Sequence, residues 1–116
     1  MGRQRPRGYR DRGLPLKGAA MTLLQVPVHP GEVLKHEFLE PLGLSAGKLA
    51  RHIHVPRTRI ERLCGGETSV TIDTARRLAR AFGTSVEFWM TLQMKHDLVR
   101  SGAETDLSDI RPLRVA

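Results

Sequence analysis

The chain has 116 residues, 40% of them hydrophobic and only 4% aromatic, which suits one modest globular domain with tails and excludes a wholly disordered polymer. No apolar run approaches the ~20 residues that span a bilayer, and the single cysteine, Cys64, can form no internal disulfide. A membrane protein and a disulfide scaffold are therefore excluded, and a reducing cytoplasm is the expected compartment. The formal charge of +7 favours a polyanionic partner.

In chain order, residues 1–21 come first. Arg3, Arg5, Arg7, Arg10, Arg12 and Lys17 stand against Asp11 alone, among Gly and Pro and without apolar periodicity. Such a composition cannot offset its ordering entropy, so a disordered basic tail is expected. Two readings stay open: an extension upstream of a natural start at Met21, and an arm that grips phosphates or a minor groove. The first twenty residues also lack the apolar centre of a secretory signal.

Residues 26–101 read as the folded domain, with five helices and no strand. The first begins at Pro30, with Glu32 favouring its dipole, carries Val33, Leu34 and Phe38, and is expected to stop at Pro41 and Gly43. Ser45 caps a second helix with Leu49, Ala50 and Ile53 inward, ending near Val55. A short third helix from Pro56 to Cys64 turns Pro56, Ile60 and Leu63 inward, and Gly65-Gly66 supplies a left-handed stop. Thr71 caps a fourth, with Ala75, Leu78, Ala79 and Phe82 on one face and Gly83 closing it.

Thr84 and Glu87 have capping-box spacing for a fifth helix from about Ser85 to Arg100. Its Phe88, Trp89, Leu92 and Val99 are expected in the core, or for the first three at a dimer seam, while Met90 and Met94 lie off that stripe. With so few aromatic residues, the core is expected to consist mainly of Leu, Ile, Val and Ala. Residues 102–116 read as a C-terminal tail, either flexible or extended against a partner.

The informative feature is the second and third helices together: two short amphipathic helices across a tight turn, the second basic on its outer face. This is the pattern of a helix-turn-helix, whose second helix enters a DNA major groove. With Ile60 and Leu63 inward, Thr58, Glu61 and Arg62 project outward, flanked by Arg57 and Arg59. First-turn side chains and those one turn on reach base edges, whereas flanking cations reach phosphates. Arg57, Thr58 and Arg62 are therefore the expected base readers, and Ser45, Lys48 and Arg59 the expected phosphate contacts. Glu61 either accepts from a cytosine or pairs with a neighbouring arginine. A solvated helix face is the plainer alternative for these charges.

Enzymatic readings are weaker. His36-Glu37-Phe38-Leu39-Glu40 has the opening of a His-Glu-x-x-His zinc helix without its second histidine. His52 and His54, at i and i+2, point apart on a helix. Cys64-Gly65-Gly66-Glu67-Thr68 lacks the Gly-Lys-Ser/Thr of a phosphate loop. No catalytic residue, metal or cofactor is expected.

His29-Pro30-Gly31-Glu32, Pro41-Leu42-Gly43-Leu44-Ser45, Leu49-Ala50, Val55-Pro56-Arg57, Arg59-Ile60 and Phe82-Gly83-Thr84-Ser85, with Phe88-Trp89 and Leu92-Gln93, resemble the HigA antitoxins of the Xre-type repressor superfamily. The resemblance covers about 28–100. It implies an all-α lambda-repressor-like domain, a homodimer, binding to double-stranded operator DNA, and neutralisation of a HigB/RelE-like toxin. The runner-up is a stand-alone repressor without a toxin. A third reading is an interaction module that has lost DNA binding. Where the family carries Asn-Gly and then Arg or Lys, this chain has Gly65-Gly66-Glu67, which puts an anion near the expected DNA face. Cys64 is also unusual there and reads as an incidental small residue.

Overall fold

A computed structural model describes residues 28–101 and 105–114; the basic stretch at 1–21 lies outside them. All regular structure among the described residues is helical, in five helices: α1 over 30–42, α2 Ala46–Ile53, α3 Arg57–Cys64, α4 Ile72–Phe82 and α5 Val86–Ser101.

Helix α1 starts on an unusual cap. His29 is buried, and its Nδ1 accepts the Gly31 N–H at 2.9 Å, leaving Pro30 in the first turn, where no N–H is needed. Burial, and then the neighbouring His96 at 4.9 Å between ring centroids, hold the His29 pKa below its ordinary value. The helix does not stop at Pro41 as expected. It widens into π-helical turns over Leu34–Leu39, with Glu40 N–H donating to Lys35 O, and continues to Leu42. The wide turns relieve the overlap a proline ring makes with the carbonyl four residues back. Gly43, at φ 65, ends the helix.

Three helix stops share one geometry. Leu44 N–H donates to Leu39 O, Val55 N–H to Ala50 O and Glu67 N–H to Arg62 O, each across a left-handed residue. Of the pair Gly65-Gly66, only Gly66 is left-handed, at φ 75. The left-handed residue after α2 is His54, at φ 63, where a Cβ is disfavoured. His54→Gly is expected to stabilise the domain by about 1 kcal/mol. A higher urea midpoint at unchanged slope would register it, and an unchanged or lower midpoint would contradict it.

The core lies where α1, α4 and α5 meet beneath α2 and α3. Leu, Ile, Val and Ala supply most of it, but all three phenylalanines and the tryptophan are buried in it. Phe38 is 4.8 Å from Phe82 and 5.1 Å from Trp89, and Phe88 is 5.1 Å from Trp89, centroid to centroid. Phe88, Trp89 and Leu92 are thus core within one chain.

Burying Trp89 requires an acceptor for its indole N–H, and Thr84 Oγ1 provides it at 2.8 Å. Thr84 does not cap α5, because the helix begins one residue further on, at Val86. Ser85 takes that role, accepting the Phe88 N–H at 2.9 Å, and the expected Thr84–Glu87 capping box does not form. Buried Gln93 accepts the Val70 N–H at 2.7 Å, fastening the α3–α4 connection to α5.

Two expected core residues are outside. Pro56 precedes the first turn of α3 in extended conformation and is exposed. Val99 is 61% exposed because α5 outruns the core after Gln93. Met94 is exposed, whereas Met90 packs against the core. At 105–114 there is a single turn, and Leu107, Ile110 and Leu113 are exposed.

Candidate nucleic-acid interface

Helices α2 and α3 are joined by His54, Val55 and Pro56, and Arg77 of α4 secures the joint. Its Nη1 donates to Ile53 O at 2.8 Å and to His54 O at 3.4 Å, satisfying carbonyls that the end of α2 leaves free. Ile60 and Leu63 of α3 are buried, and Arg57, Thr58, Arg59, Glu61 and Arg62 are exposed around the rest of the helix. Sequence periodicity placed this face correctly.

The base of α3 rests on α1. A Cβ on Gly31 would overlap the Leu63 carbonyl oxygen, so the two backbones touch where only a hydrogen fits. At its other end, the Arg57 side chain crosses the start of α2, where a Cβ on Gly47 would lie 3.1 Å from Arg57 Cδ. Ser45 and Lys48, within two residues of Gly47, are both exposed. Ser45 Oγ accepts the Lys48 N–H at 3.1 Å and so acts as the α2 cap.

Every arginine of α3 has a carboxylate partner. Arg57 Nε is 3.2 Å from Glu61 Oε2, Arg59 Nη1 is 2.7 Å from Asp73 Oδ2, and Arg62 Nε is 3.5 Å from Glu67 Oε1. The first and last pairs are open to water, with Arg57 and Arg62 side chains 69% and 61% exposed. Such pairs are weak and exchangeable.

Asp73 is held more firmly. Hydrogen bonds from Arg77 and then Arg59 keep its carboxyl below the usual aspartate range. Arg59, expected on a phosphate, is thereby engaged with α4. Sequence reasoning missed both Asp73 and Arg77, for which the Asp-x-x-x-Arg spacing was the available signal.

The rival chemistry finds little geometry. His36 Nδ1 lies 3.1 Å from Glu40 Oε1 as an exposed pair one turn apart. His52 and His54 do not converge, because His54 leaves the helix. Burial pushes the Cys64 thiol up, away from the reactive thiolate. Among the described residues, no group of His, Cys, Asp or Glu could hold a metal, and no helix is long and apolar enough to cross a membrane.

Two short helices around a tight turn, the second with an apolar base and a cationic outer face, define a helix-turn-helix DNA-binding domain. A family model described as a helix-turn-helix domain matches residues 4–87. Antitoxin HigA-1 of Vibrio cholerae is 37% identical over 92 residues, covering 78% of this chain and 87% of that protein. Virulence-associated protein I of Dichelobacter nodosus is 44% identical over 71 residues, covering 61% of this chain but just under two thirds of that protein, 66%.

Among solved structures, a Pseudomonas aeruginosa protein bound to its 18-bp operator superposes with a TM-score of 0.71 at 35% identity, covering 76% of this chain and 98% of that one. The antitoxin HigA of Pseudomonas aeruginosa, solved with the higBA promoter, gives 0.68 at 33% identity, covering 77% and 100%. The chain belongs to the HigA family of antitoxins, within the Xre-type helix-turn-helix repressors.

Proposed function

We infer that this protein is the DNA-binding antitoxin of a type II toxin–antitoxin module. As a homodimer it represses its own operon, and it neutralises a HigB/RelE-like endoribonuclease encoded beside it. The observation that carries the DNA half is the outer face of α3, where Arg57, Thr58 and Arg62 are exposed over a base of buried Ile60 and Leu63. In this reading Arg57, Thr58 and Arg62 contact base edges, while Ser45, Lys48 and the α2 amino end hold phosphates. Arg59 takes a phosphate only by exchanging Asp73 for it.

The toxin half rests on family membership and on the HigA relatives. A homodimer suits the apolar residues left outside the core, Met94, Leu98 and Val99 on α5 and Leu107, Ile110 and Leu113 beyond it. Paired chains would present two α3 helices ~34 Å apart, one turn of duplex.

The test has two arms. Titration against a duplex from the protein's own promoter should show a preference of about a thousandfold or more over a scrambled duplex. Co-expression should also rescue growth from the product of a neighbouring RelE-type gene. Promoter preference without rescue supports a stand-alone repressor. Rescue without promoter preference leaves an interaction module.

A further inference from the structure

The three carboxylates that hold the α3 arginines are themselves held in different ways. Glu61 stands on α3, one turn from Arg57. Asp73 is shared between Arg59 and Arg77, and Arg77 is anchored on α2. Glu67 lies outside any helix, and among the described residues its only ion-pair partner is Arg62.

Its place is nevertheless fixed by the main chain. Gly66 turns the chain back at φ 75, Glu67 N–H donates to Arg62 O at 2.9 Å, and the carboxylate returns to the same arginine. Glu67 is thus tied twice to one residue of the exposed α3 face.

We propose that Glu67 is an affinity-limiting residue of the DNA interface, whose carboxylate competes with DNA for Arg62 and must be displaced before that arginine reaches a phosphate or a base edge. The inference rests on the operator-binding reading above and assigns a role within that site.

The magnitudes support this. An exposed pair of this kind changes an equilibrium by at most about fivefold, so it cannot block a protein with several DNA contacts. It is comparable with one phosphate contact, and phosphates are what random sequence offers. A two-pronged contact to guanine is worth about fivefold to 150-fold, enough to displace the carboxylate. Breaking the pair costs the same against either duplex, so the Arg62–Glu67 pair weakens specific binding by its full worth and non-specific binding by no more than that.

The test uses four full-length proteins: wild type, Glu67→Gln, Arg62→Ala and the double variant. Each is titrated against promoter and scrambled duplexes across a salt series, and thermal unfolding checks that each is folded. Glu67→Gln keeps the backbone bond and removes the charge. It should tighten promoter binding about threefold to fivefold, and the gain should shrink as salt rises. Scrambled-duplex binding should tighten by no more than that, so the preference does not fall.

In the Arg62→Ala background the gain from Glu67→Gln should fall well below that; if Arg62→Ala does not fold, Arg62→Gln replaces it. An undiminished gain without Arg62 would overturn the inference, because Glu67 would then be only a repulsive charge. Wild-type protein that binds both duplexes alike would sink the operator-binding reading itself. Intact preference with no coupling sinks this inference alone.

Discussion

Gly31→Ala is expected to lower the stability of the domain by about 3 kcal/mol or more, a large share of what a domain of this size has. On helix propensity alone the sign would be opposite, since alanine is favoured over glycine by roughly 1 kcal/mol inside a helix. The contact decides the outcome. The added methyl would meet the Leu63 carbonyl and the Cys64 backbone rather than a movable side chain. Relief requires α1 to lift from α3, opening the core around Leu34, Ile60 and Leu63. Urea unfolding measures the loss, and a midpoint equal to or above wild type would disprove the close approach. Gly31→Ala should also weaken DNA binding, because α3 rests on that seam.

Arg57→Ala and Arg62→Ala should each reduce promoter affinity about fivefold to 150-fold, while scrambled DNA loses far less. Each variant also leaves a carboxylate, Glu61 or Glu67, without its partner on the face proposed to meet DNA, which adds to the loss. Arg59→Ala is the contrast. If Arg59 trades Asp73 for a phosphate, its loss falls on both duplexes alike and flattens the salt dependence by about 0.9 in slope. Parallel losses on the two duplexes for all three arginines would refute the division between base readers and phosphate holders.

How much of this was legible depended on how local the cause was. Ser45 and Thr71 cap as their positions announce, and Gly43 and Gly83 close their helices, because each signal acts within one turn of chain. The outward face of α3 followed from the period of Ile60 and Leu63. Failures arose where another contact or a change of helix geometry overrode a local signal. Thr84 has the spacing of a cap, but Trp89 claims its hydroxyl.

Pro41 looks like a stop, yet the widened turns before it let α1 continue. Val99 keeps helical phase with Leu92, but phase does not reveal where the opposing core ends. At the site, the charges and the pairing of Glu61 with a neighbouring arginine were readable, and the partners distant in sequence were not. Arg77 reaches Ile53 across 24 positions, and Asp73 reaches Arg59 across 14, separations at which no periodicity operates.

The imidazole that begins α1 makes this seam responsive to acid. Proton uptake at His29 would put a hydrogen on the lone pair that accepts from Gly31, and a cation where burial and His96 oppose it. Since folding depresses this pKa, the contribution is intact above the ordinary histidine value of 6.5 and is lost as pH falls through the folded one. Mild acidification, well above the range where carboxylates titrate, should therefore begin to soften the platform beneath α3. A hydrogen-exchange series from pH 7.5 to about 5, corrected for intrinsic rates, would locate that softening at 30–34 and 60–64 first, and uniform protection would rule it out.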